Sequence, residues 1–437
     1  MAFDIILGRD EADKKKFGNS GLIYIGKQYV NMGQTTSLSN RILMDIARSH
    51  VILIAGKRGS GKSYTLAAIA EELSLLPEEI SKNIASLIFD TMGVFWTMKY
   101  ANDKEYQLLK EWQLSPQKLP ARIFVPYGFA SDYEKKGIPV DSSFALSARE
   151  LSADDWCITF GLNYINPVAI VIQKVVSALK AKDADFDIED IILGIKKDNE
   201  SGVDVRQAAM NLFQGANTWG VFAVKGQKSM TTRELVEGGI TSIVDLSCYS
   251  SIGTFNVRAL IIGLISRKLF NERMSARKAE EVEAVQHGID YMSYRQDREM
   301  PLVWIFIDEA HEFLPKIGET AATDTLIQIL REGRQPGISL VMATQQPGAI
   351  HEDVMTQSDI VIAHRVTSKP DIESLNVIMQ TYVLEDIRAY MNNLPDLKGS
   401  AILLDDNSER IYPCRIRPRF TWHGGEAPTA VKVERRI

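Results

Sequence analysis

"HVILIAGKRGSGKSYTLAAIAEEL", His50 to Leu73, runs an apolar stretch, Val51 to Ala55, into a glycine-rich turn and then into a segment with helical spacing. Its middle, "GKRGSGKS" from Gly56 to Ser63, satisfies G-x-x-x-x-G-K-[ST] between a predicted strand and a predicted helix. That setting gives the motif its meaning. The backbone must wrap phosphates closely enough for its N–H groups to donate to them, at a helix N-terminus whose dipole favours anions. Lys62 is placed to reach the β- and γ-phosphates, and the Ser63 hydroxyl to ligate magnesium. The nucleotide-binding set is Gly56, Lys57, Arg58, Gly59, Ser60, Gly61, Lys62, Ser63 and Tyr64. A glycine-rich turn with a chance lysine is the bland alternative, and the rest of the chain argues against it.

In "PLVWIFIDEAHEF" an apolar strand ends in Asp308 and Glu309. Open α/β sheets bind ligands at that carboxyl edge. Asp308 suits magnesium, and Glu309 suits polarising an attacking water. Two adjacent acids could instead cap the following helix, but capping requires no six-residue apolar lead-in. Asp308 to His311 also spells D-E-A-H, yet too little chain follows it for a second lobe of comparable size, so one lobe is expected. "LREGRQPGISLVMATQQPG", Leu330 to Gly348, then offers a helix end with Arg331 and Arg334 and a strand ending at Thr344 and Gln345. One helix separates this strand from the Glu309 strand, so the two are expected to be neighbours. The Gln345 amide can then contact the γ-phosphate or the water. The arginines also complement the helix dipole, which does not exclude a catalytic part.

Composition excludes several classes. With 437 residues, 45% of them hydrophobic and 24% charged, the chain can build one large core or two ordinary domains. Stretches such as "ALIIGLIS" and "LVWIFI" fall well short of the roughly 20 residues of a membrane-crossing helix, so no membrane is expected. The start, "MAFDIILGRDEADKKKFG", has acids where a secretory signal carries an apolar segment, and a cytoplasmic location follows. Cys157, Cys248 and Cys414 match no disulfide or metal spacing, and the six histidines form no close pair. No structural metal is expected. A net charge of -6 has the wrong sign for coating nucleic acid with the outer surface. Any such contact must be local, as in a ring that lines only its channel with lysine and arginine.

Strand and helix patterns alternate along the chain, predicting an α/β fold with a mostly parallel sheet covered on both faces. Residues 1–49 form a short strand-containing lead-in, 50–140 the first part of the core, 141–238 a mostly helical insertion, and 239–410 the second part. Residues 411–437 read as an edge strand and an extended tail.

Together, "GKRGSGKSYTL", "LIFDTMGVFW", "GITSIVDLS", "IFIDEAHEF", "REGRQPGISLVMATQQP" and "IRPRFTWHGGEAP" resemble the HerA branch of the HerA/FtsK superfamily of hexameric motor ATPases. The resemblance runs from about Ile25 to the C-terminus. It implies a RecA-like P-loop core, ATP with Mg2+ held by Ser63 and Asp308, catalysis by Glu309, and Gln345 as γ-phosphate sensor. Asp90 matches the family's acid after the second strand, and one arginine of Arg331 and Arg334 resembles a finger inserted into the neighbouring subunit, in preference to Arg365. The implied protein is a ring-shaped translocase or helicase on double-stranded DNA, a homo-oligomer of hexamer type, acting with a NurA-like nuclease or another effector in trans in DNA-end processing or defence. Two alternatives stand beside it: a protein-secretion motor, and an ATP-gated scaffold for a defence effector. Val94 stands where the family often has an acid, and 49 residues are few for the N-terminal barrel that HerA carries. Lys225, Lys228 and Arg233 are candidates for a pore.

Overall fold

The P-loop strand is the pivot of the sheet. In the computed structural model, residues 3–32, 35–182, 184–249, 257–287, 300–379 and 387–425 are described. Thirteen strands form one sheet in the order β1-β3-β2-β13-β12-β11-β4-β10-β9-β5-β8-β6-β7. In chain order they are β1 (Ile5–Leu7), β2 (Leu22–Met32), β3 (Thr35–Asp45), β4 (Val51–Ala55), β5 (Ile84–Asp90), β6 (Ala121–Pro126), β7 (Ser142–Phe144), β8 (Thr241–Asp245), β9 (Leu302–Ile307), β10 (Ile338–Thr344), β11 (Ile360–His364), β12 (Ser400–Asp405) and β13 (Arg410–Ile416). From β11 to β7 every pairing is parallel. Parallel strands need crossovers, and the helices that make them cover both faces.

Alternation along β4 shows why both faces are apolar. Ile52 and Ile54 pack with Leu66, Ile69 and Leu73 of helix α1 (Lys62–Ser74) on one side. Leu53 and Ala55 face the opposite core. That core is closed by α2 (Ala153–Thr159), α3 (Pro167–Lys180), α4 (Ile188–Lys197), α5 (Val203–Asn217), α6 (Val257–His287) and α7 (Thr323–Glu332). Capping boxes start α2, with Ser152 and Asp155, and α4, with Asp187 and Asp190, satisfying first-turn N–H groups that would otherwise lack partners. Residues 141–238 thus hold four of these helices and the short strand β7.

Residues 1–49 extend the sheet. The β2–β3 hairpin joins it through Cys414↔Gln28, Arg415↔Lys27 and Ile416↔Gly26. Strand β13 is therefore interior, between β12 and β2, which corrects the expected edge strand. Pro413 suggested an edge because it lacks an N–H. It pairs with Ile402 on one side and lies just before the three residues that β2 takes up, so no ladder bond is lost there. Gly26 permits the approach, since a Cβ there would run into the Arg415 carbonyl.

Residues 417–425 run back over α1, in place of the expected extended tail. Glu71, fully buried on α1, accepts from Arg417 Nη1 at 2.9 Å, Arg419 Nε at 3.0 Å, the Phe420 and Thr421 N–H groups, and the Thr421 hydroxyl. Burial opposes the charge of Glu71, but the two guanidiniums outweigh it and hold its carboxyl below the usual range. Residues 426–437 lie outside the described residues.

Candidate active site

Strands β10, β4 and β9 bring the site together. β10 pairs with both β4 (Thr344↔Ala55) and β9 (Met342↔Ile307), so the P-loop, the two acids and Gln345 leave one edge of three adjacent strands. At the P-loop, Gly61 has φ of 109°, a conformation that side chains resist, and it hands the chain to α1. A Cβ on Gly56 would collide with Ser60 Oγ and lie 2.7 Å from His364 Cβ. Lys57 and Arg58 are exposed, whereas Lys62 is buried with its ammonium 3.3 Å from the Lys57 carbonyl. Burial pulls Lys62 below its usual range, against the opposing fields of Glu309 and Asp308.

Ser63 Oγ donates to Asp308 Oδ2 at 2.5 Å. Asp308 is buried, and burial lifts its carboxyl above the usual range despite Ser63, the Glu309 N–H and Lys62. A hydroxyl and an anionic oxygen held together in a dry place are the donor types a magnesium ion takes. These residues fit that ion.

Glu309 sits at φ 53°, ψ 44°, the left-handed region that costs a side-chain-bearing residue energy. Its Oε1 accepts from Gln345 Nε2 at 3.0 Å. Its Oε2 is buried without a hydrogen-bond partner, with His311 Nδ1 3.6 Å away. Burial first, and then the neighbouring Asp308, raise the Glu309 carboxyl above its usual range. His311 in turn lies 3.2 Å from Thr344 Oγ1, and burial lowers its pKa.

The other predicted residues lie elsewhere. Asp90 ends β5 beside Asp245 of β8, and its oxygens accept the N–H groups of Met92, Gly93 and Phe95. Burial, and Asp245 next to it, raise its pKa strongly. Those contacts shape its own turn. Tyr64 OH accepts the Arg419 N–H at 2.6 Å and donates to Glu105 at 3.1 Å. Arg331 Nη2 lies 2.7 Å from Asp353 Oδ2, on helix α8 (Glu352–Gln357). Arg334 follows α7 in an exposed turn and has no ion pair or hydrogen bond among the described residues. Arg365 is tied to Asp396 Oδ1 at 2.7 Å and to the Leu394 carbonyl at 2.8 Å. Of the pore candidates, Lys225 lies 3.6 Å from Asp190 and Lys228 2.8 Å from Glu234.

Sequence reasoning missed His311 and His364. The second ends the apolar run "DIVIAH" as Asp90 and Asp308 end theirs, so the same strand-end signal was available.

The fold recurs in VirB4 of Thermoanaerobacter pseudethanolicus, 10% identical, with a TM-score of 0.53 over 90% of this chain and 96% of that one. Closer in sequence are the DNA double-strand break repair helicase HerA of Pyrococcus furiosus, 28% identical over 145 residues, and the probable counterpart of Methanocaldococcus jannaschii, 27% identical over 119 residues. These matches cover 32% and 25% of this chain, and the chain spans about a quarter of the length of these curated relatives, 24% of each. The model of the family described as "Helicase HerA, central domain" matches residues 30–269, more than half of the chain. With a RecA-like P-loop core and the site of a P-loop ATPase at its carboxyl edge, the chain belongs to the HerA helicase central-domain family.

Proposed function

We propose that this protein is an ATP-hydrolysing motor that moves double-stranded DNA through a ring of its own copies. The carrying observation is the pair of hydrogen bonds that closes the site, Ser63 to Asp308 and Gln345 to Glu309. One holds the donors for a cation, and the other holds a base of raised pKa.

The P-loop N–H groups and Lys62 bind the phosphates, and the buried ammonium draws charge from the β- and γ-oxygens. Ser63 and Asp308 would hold magnesium, which when bound would supply positive charge to stabilise the charge developing in the transition state. Glu309 takes a proton from the attacking water at Oε2, the oxygen that has no hydrogen-bond partner. Gln345 holds Glu309 through Oε1 and senses the γ-phosphate. Arg334 carries the second positive charge into the neighbour's site, because Arg331 is occupied by Asp353 within its own subunit. Asp90 acts from a distance, by shaping the turn after β5.

The curated relatives are named for DNA double-strand break repair. We extend that setting to this chain: DNA-end processing or defence with a nuclease or other effector in trans, as a hexamer that grips phosphates without reading bases. Net charge of -6 confines the grip to a local basic lining. ATP hydrolysis measured with and without duplex DNA at low salt tests the reading. Strong stimulation that fades as salt rises supports it. Hydrolysis that ignores DNA at low salt but responds to a protein substrate assigns the motor to protein instead, and no hydrolysis at all removes the ATPase reading.

A further inference from the structure

His364 ends β11 beneath the P-loop and is fully buried. Its Nδ1 lies 3.1 Å from the Ser400 carbonyl, and its Nε2 lies 2.8 Å from Thr65 Oγ1. A carbonyl only accepts, so Nδ1 carries the proton and the bare Nε2 accepts from the Thr65 hydroxyl. Burial keeps the ring neutral by pulling its pKa down to about 4. Thr65 is in the first turn of α1, where its N–H makes the helix's opening bond to the Gly61 carbonyl at 2.9 Å.

The next residue acts through its backbone. The Arg365 carbonyl accepts the Lys57 N–H at 2.9 Å, and the Arg365 guanidinium is anchored on Asp396 and the Leu394 carbonyl. His364, the last residue of β11, and Arg365 just after it thus hold the phosphate loop at both ends, Lys57 near its start and Thr65 just past its finish. The imidazole also fills the space beneath the loop. A Cβ on Gly56 would stand 2.7 Å from His364 Cβ, and one on Gly61 would stand 3.7 Å from Cε1. Strand β11 is already paired along both edges, with β4 and β12, so its own ladder does not depend on these side-chain bonds. A purely space-filling ring would need no acceptor aimed at Thr65. A buried hydroxyl and a buried ring nitrogen that satisfy each other fix direction as well as volume.

We propose that His364 is a positioning residue for bound nucleotide: its bond to Thr65 fixes the first turn of α1, whose N–H groups receive the phosphates. This rests on the nucleotide reading given above. Phosphate binding by backbone donors depends on their placement, since charge-assisted hydrogen bonds are short and directional. Losing the brace lets the turn shift while the sheet stays whole.

The test uses the full chain and measures dissociation constants for ATP and ADP with magnesium, alongside thermal melting. Thr65→Val removes the donor and keeps the shape. Thr65→Ser keeps the donor. His364→Asn keeps a group for the Ser400 carbonyl and removes the acceptor facing Thr65. Thr65→Val and His364→Asn are each expected to weaken binding by about tenfold, and the double variant by about the same factor, because one bond is lost in all three. Thr65→Ser is expected to bind within about twofold of wild type. Folded Thr65→Val with wild-type affinity overturns the proposal, and so do losses that add in the double variant or a fall in melting temperature with affinity unchanged. If His364→Asn does not fold, the Val and Ser pair at Thr65 decides alone. Wild-type protein that binds neither nucleotide overturns the nucleotide reading itself, and the brace with it.

Discussion

Gln345 Nε2 donates to Glu309 Oε1 at 3.0 Å, across the seam between β10 and β9, and leaves Glu309 Oε2 as the oxygen with no hydrogen-bond partner. One side chain thereby orients the other. Glu309→Gln is expected to keep nucleotide binding and to lower kcat by roughly 10² to 10⁴, the range for loss of a general base. Gln345→Ala is expected to lower kcat less, with little change in affinity. Single-turnover hydrolysis beside equilibrium binding checks both, and unchanged kcat in Glu309→Gln removes the base assignment.

The pH profile follows from the same carboxylates. Burial raises both Asp308 and Glu309, and the proposed mechanism requires each to be ionised. Activity is expected to fall on the acid side at a higher pH than an ordinary carboxylate would give. Because the positive charge of Lys62 opposes that rise, the Glu309 carboxyl itself is expected to titrate higher still in Lys62→Met. A limb at the ordinary carboxylate position would contradict the expectation.

Arg331 and Arg334 make different predictions. Arg334→Ala is expected to lower kcat by roughly 10³ to 10⁵ if it completes a neighbour's site. Arg331→Ala is expected to behave like Asp353→Ala, since the two form one pair at 2.7 Å. Mixing Arg334→Ala with Glu309→Gln subunits should recover part of the activity, because some interfaces then join an intact base to an intact arginine. Mixtures that lose activity in proportion to mutant content would place Arg334 outside the neighbour's site.

His50, at the other end of β4, predicts a pH dependence of stability. It is buried with Nδ1 2.6 Å from Asp359 and Nε2 3.2 Å from Asp45. Burial disfavours its charge, but the two carboxylates outweigh that and lift it to about 9. Its folded value lies above its unfolded value, so the stabilisation is complete below about pH 6.5 and is lost as pH rises through about 9. The gap is worth on the order of 3 kcal/mol. Denaturant melts of wild type and His50→Gln between neutral and alkaline pH should converge, and parallel curves would refute the charge.

The Glu71 cluster predicts a structural effect. Arg417→Ala would leave the buried Glu71 carboxylate with Arg419 as its one remaining guanidinium and is expected to cost up to roughly 3 to 5 kcal/mol, the range for breaking a buried ion pair. Replacing Glu71 and both arginines together with apolar residues of similar volume is expected to cost much less. Equal losses would mean that packing, and not charge, dominates there.

What could be read from the sequence was local. The P-loop, the Asp308–Glu309 strand end and the Gln345 strand end each consist of an apolar run followed directly by a polar group, and the pairing of β10 with β9 follows from the single helix between them. The interior position of β13 was hidden because its partner β2 lies near the other end of the chain, and Pro413 carries the mark of an edge. His364 was hidden because its partners Thr65 and Ser400 are distant in sequence. The two arginines could not be separated because both stand at one helix end, and the difference is made by Asp353 on the next helix. Asp90 had the right strand-end signature, yet its oxygens are taken by its own turn.

Glu71 and its partners in residues 417–421 are about 350 positions apart, with Arg417 at a separation of 346 and Thr421 at 350. During synthesis the helix behind the phosphate loop leaves the ribosome long before the residues that neutralise it. Until they arrive, a carboxylate destined for full burial has no cation, and the sheet lacks the strand that joins β12 to the N-terminal hairpin. Contacts of such long sequence range are made late, because loop closure must precede them. The proposed nucleotide site is therefore expected to form only after residues 417–421 have been made, and a nascent chain stalled before Arg417 is expected to bind ATP poorly.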